Sequence, residues 1–156
     1  TALFIAFEKE NQEIIQFILS HCQINDIKNN FFFGCTSLQH VVIPPTIVSI
    51  GDSAFQRCSS LEDISIPESV TSIGKSAFEG CTSLEEILIP SSVTEISSWL
   101  FKGCKNLKKV TIPNTITSIG EFAFDGCKSL KEVNIPSNLK KIGEWAFPSE
   151  TKVNYV

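Results

Sequence analysis

The chain has 156 residues, of which 42% are hydrophobic and 19% charged, and a net charge of -4; this is the composition of a folded chain able to bury a real core. No apolar stretch approaches the roughly 20 residues that a membrane-crossing helix needs, so membrane insertion is not expected. Of its 13 basic and 17 acidic side chains, residues 1–100 carry 4 and 12 and residues 101–156 carry 9 and 5, a split that can orient a partner or a neighbouring copy but falls short of a nucleic-acid footprint.

The sequence opens on Thr rather than Met, directly in an apolar periodic pattern. It reads as a piece of a longer polypeptide whose targeting signal is not visible. Residues 1–26, TALFIAFEKENQEIIQFILSHCQIND, predict two short helices, near Leu3 to Glu8 and Gln12 to Ser20. Ile14, Ile15, Ile18 and Leu19 give the second its apolar face. The segment resembles one ankyrin repeat, with Ala2, Phe4 and Glu10 in place of the usual Pro, His and Gly. That resemblance implies a helix pair that buries its sides on neighbouring repeats, either as the end of an upstream array or as the lid of the coil on its C-terminal side. Ile27 to Asn30 is short enough to predict a packed joint between this unit, 1–26, and a second, 27–156.

From there a period of 23 governs the chain. Cys35, Cys58, Cys81, Cys104 and Cys127 form one column and Pro44, Pro67, Pro90, Pro113 and Pro136 another. Leu38, Leu61, Leu84, Leu107 and Leu130, the Ile43 to Ile135 and Ile50 to Ile142 series, and Phe32 through Phe147 supply the apolar columns. One unit cannot hide its apolar face, but stacked units lay each column on itself and produce a continuous interior. Val110, Thr111 and Ile112 alternate as a half-buried strand does, so the strands should stack in parallel. Proline after the last inward Ile marks a corner. Segments such as Gly120 to Cys127 are too short for an independent helix and predict a helical or 3-10 turn. Gly51, Gly74, Gly120 and Gly143 are read as backbone positions other residues would find strained, with Ser97 breaking the column.

The wording L-x-x-V-x-I-P-x-x-V-x-x-I-G-x-x-A-F-x-G-C resembles the BspA-like class of leucine-rich repeats over roughly residues 31–156. The resemblance implies an α/β repeat solenoid: a right-handed coil with a parallel β-sheet on one face and short helical or 3-10 turns, in about five full repeats with partial terminal ones. The ankyrin-like pair would cap it. Pro148 and Glu150 depart from the columns while Val153 and Val156 stay in register with Leu130 and Val133, as in a last strand on a modified coil.

The cysteine column reads as small core residues rather than disulfides or metal ligands, since C-x-x-C and C-x-x-H spacings are absent from the sequence; no metal or cofactor is expected. His21 and His40 lie in no nucleophile context, and no enzyme activity is expected. The outward strand columns are the better candidates, because they form one extended surface. One is His40, Asp63, Glu86, Lys109 and Glu132. The other holds Leu88 and Thr111 among Val42, Ser65 and Asn134. Either column is read equally as an ordinary solvated face. A further column changes from Ser53 and Ser76 to Trp99, Phe122 and Trp145. It is an apolar ridge if the rings are exposed, and the cover of a wider coil if they pack down.

The functional expectation is a non-enzymatic module or scaffold that binds one or more proteins, within a large assembly or alone, through the solenoid surface. Unpaired thiols and the lack of an Asn-x-Ser/Thr sequon favour a cytoplasmic, cytoskeletal or assembly-associated setting. The family resemblance implies the alternative, a cell-surface adhesin or antigen.

Overall fold

The computed structural model describes residues 12–21 and 24–156. Among these residues, one helix, α1 (Gln12–His21), precedes twelve short strands in two rows. The first row holds β2 (His40–Val42), β4 (Asp63–Ser65), β6 (Glu86–Leu88), β8 (Lys109–Thr111), β10 (Glu132–Ile135) and β12 (Lys152–Tyr155). The second holds β1 (Asp26–Ile27), β3 (Ser49–Ile50), β5 (Ser72–Ile73), β7 (Glu95–Ile96), β9 (Ser118–Ile119) and β11 (Lys141–Ile142). Every pairing is parallel and, except the last, joins residues 23 apart, such as Val41 with Ile64 and Ile50 with Ile73. Each repeat is therefore one turn of a stacked coil. The last step is shorter: Glu132 pairs with Lys152 and Val133 with Val153, 20 residues apart, so Val153 does not stand level with Leu130, nor Val156 with Val133, as the 23-residue register expects; the coil that contains Pro148 is three residues short.

The corners follow from proline chemistry. Ile47, Val70 and Ile116 donate their N–H to the carbonyls of Pro44, Pro67 and Pro113, three residues back, so each turn closes on a residue that has no N–H of its own to satisfy. After the second strand, Cys58 N–H bonds to Phe55 O and Leu61 N–H to Cys58 O, and the pattern recurs in each coil. These are consecutive turns, not the helical or 3-10 pieces expected. With one ten-residue helix among the described residues, the fold is a β solenoid rather than α/β.

The ankyrin-like cap is also corrected. Its second helix exists as α1, but the first, near Leu3 to Glu8, lies outside the described residues, as do the side chains of Ile14, Ile15 and Ile18. What α1 does is more specific than covering a face. The Gln16 carboxamide donates to Val42 O at 2.9 Å and accepts from Val42 N–H at 3.2 Å. One side chain thus satisfies both backbone groups of Val42, which face away from β4 on the first-row edge strand β2. Leu19 on the same helix is fully buried in the core.

The interior is built from the repeat columns. Phe32, Phe55, Phe78, Phe101 and Phe124 are buried and stack on one another, and Phe147 ends the ladder, with centroid spacings of 4.9, 5.4, 5.6, 5.4 and 5.1 Å. The cysteines of the column, Cys35 to Cys127, are buried and free of disulfides. Cys58, Cys81, Cys104 and Cys127 each donate Sγ–H to the carbonyl of the Phe 26 residues earlier, at 3.1–3.2 Å. Burial pushes Cys58 and Cys127 up to about 12 and Cys81 and Cys104 well above the ordinary thiol range. Such thiols are neutral packing groups, the core reading of this column.

The glycine column has a different cause from the one expected. A Cβ on Gly51 would lie 2.6–2.8 Å from the backbone of Asn29 and Lys28, and one on Gly143 within 2.6–2.7 Å of Gly120 and Glu121. Close stacking of coils, not a left-handed backbone, requires glycine there. Each such glycine also donates its N–H to the carbonyl of the Ile 24 residues earlier, at 2.7–2.8 Å for Gly51, Gly74, Gly120 and Gly143.

Ser97 carries a Cβ at this position. Its hydroxyl, at 2.5 Å, bonds to the Ile73 carbonyl in place of a glycine N–H. Here the second row divides into β1-β3-β5 and β7-β9-β11. The first row also lacks a hydrogen-bonded ladder between β4 and β6, and again between β8 and β10. Only at the junction marked by Ser97 do both rows open together, and the Phe78–Phe101 spacing across it is the widest in the stack.

Candidate functional site

Left-handed backbone occurs in two columns, one of them Gly34, Arg57, Gly80, Gly103 and Gly126 with φ between 62° and 75°; the other is occupied by residues with side chains. Asn30, Ser53, Ser76, Trp99, Phe122 and Trp145 all have φ between 54° and 58°. This conformation aims the amide along the stack: Ser53 N–H reaches Lys75 O at 2.8 Å, Trp99 N–H reaches Glu121 O at 2.9 Å and Phe122 N–H reaches Glu144 O at 3.0 Å. The coil-to-coil bond explains the backbone but not the side chain. Asparagine and serine satisfy it in the first three coils, and a large aromatic residue is an unusual occupant of that region.

Those aromatics lie outside the core columns. Trp145 is 71% exposed, and Trp99 and Phe122 are half-buried. Trp99 and Phe122 stack with centroids 6.2 Å apart and planes 4° from parallel. Lys102 Nζ lies 5.4 Å from the Phe122 centroid and 3.6 Å from Asp125 Oδ2. The result is a surface ridge of rings with a cation and a carboxylate beside it, formed only in the C-terminal coils.

The first strand row brings the other sequence-predicted residues together on one face. His40, Asp63, Glu86, Lys109 and Glu132 are exposed, as are Leu88 and Thr111. They are largely tied to one another: His40 Nδ1 to Asp63 Oδ2 at 2.5 Å, Lys109 to Glu86 at 3.9 Å and Lys152 to Glu132 at 3.7 Å. Leu88, 58% exposed, stands between Ser65 and Thr111 in the coils on either side. Alternation alone places this face outward, which is why it was readable from sequence. Two features were not readable: the left-handed column, since Ser and Trp do not announce φ, and the Gln16 bracket on β2, which depends on where the helix lands.

The hollows along this surface are open and shallow, one of them lined by Ile64, Glu86, Ile87, Leu88, Lys109 and Thr111. No group of three or more potential metal ligands converges among the described residues. None of the described helices is long and apolar enough to cross a membrane.

Comparison with known proteins agrees with this geometry. Residues 25–154 match the BspA type leucine rich repeat region, in six copies. A leucine rich cell surface protein from Faecalibacterium prausnitzii A2-165 has a solved structure similar to this chain, with 33% identity and a TM-score of 0.77 over 90% of this chain and 41% of that one. A leucine-rich repeat protein from Bacteroides ovatus ATCC 8483 is 34% identical, with a TM-score of 0.73 over 84% of this chain and 35% of that one. The T. pallidum leucine rich repeat protein is 30% identical, with a TM-score of 0.71 over 84% and 67%. The chain thus spans about two fifths and one third of the first two. No curated protein matches, and no comparison supports an ankyrin repeat at the N-terminus. By its repeat columns, its solenoid and these likenesses, the chain belongs to the BspA-type leucine-rich-repeat family.

Proposed function

We propose that this chain is the binding segment of a cell-surface protein, holding a protein partner against the outside of the solenoid without transforming it. The observation that carries this reading is the aromatic ridge. Neither core packing nor the left-handed backbone calls for Trp99, Phe122 and Trp145, because Ser53 and Ser76 meet the same backbone demand in the preceding coils. Aromatic side chains outside the core, here two half-buried and Trp145 exposed, are the usual anchors of an interface. The strand face with Leu88 and Thr111 between charged columns is a second contact area, and its mixed polarity suits a protein surface.

The cell-surface setting is favoured over the cytoplasmic one by the likeness to a leucine rich cell surface protein. Unpaired thiols do not argue against it, because each thiol of the column is buried as a core group and therefore poorly accessible to oxidants.

The test immobilises the chain and captures proteins from a cell-surface extract, alongside the Trp99→Ser/Trp145→Ser variant. Loss of the captured proteins with the variant is expected; an unchanged set rejects the ridge as anchor. Labelling intact source cells with an antibody to this chain, before and after permeabilisation, tests the location: staining only after permeabilisation defeats the surface assignment.

A further inference from the structure

The charge split along the chain is sharpest in a column beside the first strand row. Going along the solenoid, successive coils present Gln39, Glu62, Glu85, Lys108 and Lys131. The column is polarised: two acids followed by two lysines at one-coil spacing, about 4.8 Å per step. Among the described residues, only the middle pair of this column is joined, Lys108 Nζ to Glu85 Oε2 at 2.9 Å. Glu62 lies 3.9 Å from His40, and Lys131 Nζ donates to the Lys128 carbonyl rather than to a carboxylate.

Such a column is complementary to itself when reversed. We propose that two copies of this chain associate along this edge with antiparallel solenoid axes, so that Glu62 and Glu85 of each copy oppose Lys131 and Lys108 of the other. The two-fold axis crosses the column between Glu85 and Lys108. Because the coil spacing is uniform, one register aligns all four pairs, and the two internal Glu85–Lys108 pairs form a ring of alternating charges. An isologous contact of this kind closes at two copies.

The neighbouring columns tolerate the arrangement. Glu86 meets Lys109, while Thr82 meets Lys105 and Ser59 meets Lys128. Two like charges, Asp63 and Glu132, are brought opposite each other, but His40 already neighbours the first and Lys152 the second. Leu88 of each copy, exposed, meets Thr111 of the other, which adds an apolar contact beside the charged column. All four column charges lie within about 15 Å, comparable with the Debye length of about 10 Å at 0.1 M salt, so the association should depend strongly on ionic strength. It is independent of the aromatic ridge, whose variants leave it intact.

The test is sedimentation of the 156-residue chain at about 20 mM and about 500 mM NaCl. The expected mass at low salt approaches twice the monomer's 17.2 kDa, with at least tenfold weaker association at high salt. The Lys108→Glu/Lys131→Glu variant has an all-acidic column and the Glu62→Lys/Glu85→Lys variant an all-basic one. Each alone should remain monomeric, and an equimolar mixture should restore the dimer. A monomeric parent at low salt overturns the proposal, as does a variant that still self-associates or a mixture that stays monomeric while both variants keep the parent's far-ultraviolet circular dichroism.

Discussion

On one side of Ser97 the coils carry Asn30, Ser53 and Ser76 in the left-handed column and a ladder running β1-β3-β5; on the other they carry Trp99, Phe122 and Trp145 and a ladder running β7-β9-β11. The apolar columns pass through the junction without interruption, since Phe78, Phe101, Cys81 and Cys104 are all fully buried. Backbone bonds from the turn segments cross as well, Phe78 N–H to Leu100 O at 3.0 Å and Gly80 N–H to Lys102 O at 2.8 Å. The two halves are therefore one core with an interrupted strand ladder. In the second row the ladder fails at the position that elsewhere lacks a Cβ, whereas the positions that fill the interior never fail. Cohesion in this solenoid resides in the columns, and the sheets are the part that can be cut.

The largest expected effect comes from attacking the core at the junction. Phe101→Ala removes the ring that stacks on Phe78 across the widest gap and should cost about 3–5 kcal/mol, as truncation of a buried Phe does. With the bridging ring gone and both strand rows already open, urea unfolding should separate into two transitions, one for each half. Phe55→Ala, inside a continuous ladder, should cost as much but keep one transition. Two transitions in both variants would show that Ser97 marks no special boundary.

Moving the interruption is the next test. Gly120→Ala places a Cβ within 2.7–2.8 Å of Ser98 and Ser97 backbone atoms and should cost about 1–3 kcal/mol as an overpacking change. It should also expose the amides of β9 to hydrogen exchange. Ser97→Gly should act in the opposite sense. The N–H of position 97 becomes free to take the Ile73 carbonyl, and protection of that amide should rise towards that of Gly74 and Gly120. A Ser97→Gly variant whose exchange pattern is unchanged would mean that the Cβ is not what separates β5 from β7.

The cysteine column gives a pH test that should ignore the junction. An unfolded thiol ionises near its ordinary value of 9.0, whereas Cys58 and Cys127 are held at about 12 in the folded chain. The folded-state value is raised, so this contribution is fully present below pH 9 and is lost as pH rises towards 12. The loss should be about 1.4 kcal/mol per pH unit for each thiol. Comparing urea unfolding at about pH 8 and pH 10, the Cys58→Ala/Cys127→Ala variant should show a shallower fall than the parent. Equal slopes would mean that these thiols are not desolvated in the folded state.

How much of this was legible beforehand depends on which atoms carry the message. Side-chain columns such as Ile50 to Ile142 or Cys35 to Cys127 are written directly in the 23-residue spacing, so the coil and its interior could be read. Backbone events are written only indirectly. Gly51 and Gly143 look alike whether they serve a left-handed turn or a close approach, and the structure selects the second. Of the two left-handed columns, one is glycine at Gly34, Gly80, Gly103 and Gly126 with Arg57 between them, and the other hides behind serine and tryptophan. The ankyrin resemblance of residues 1–26 is a likeness of pattern, and the apolar spacing within it fits any amphipathic helix. The detail that distinguishes α1, the two-point bond from Gln16 to Val42, is a tertiary contact that no local pattern encodes.

The smallest expected effect concerns the ridge itself, and it separates a binding surface from a misplaced piece of core. Trp99→Ser and Phe122→Ser put at these positions the residue that Ser53 and Ser76 already carry at the same φ. The backbone bonds along the stack therefore remain available, and only the ring pair and the Lys102 contact are lost. The half-buried stacked pair is worth about 0.5–1.5 kcal/mol, so each change should move stability by about 1 kcal/mol in urea unfolding. Phe101→Ala, one column away in the same coil, is expected to cost at least three times as much. If the serine variants approach that larger figure, the rings are holding the C-terminal coils together and their exposure is incidental. If they stay small, stability gives no reason for three aromatics to occupy a strained position on the surface, and a partner is left as the reason.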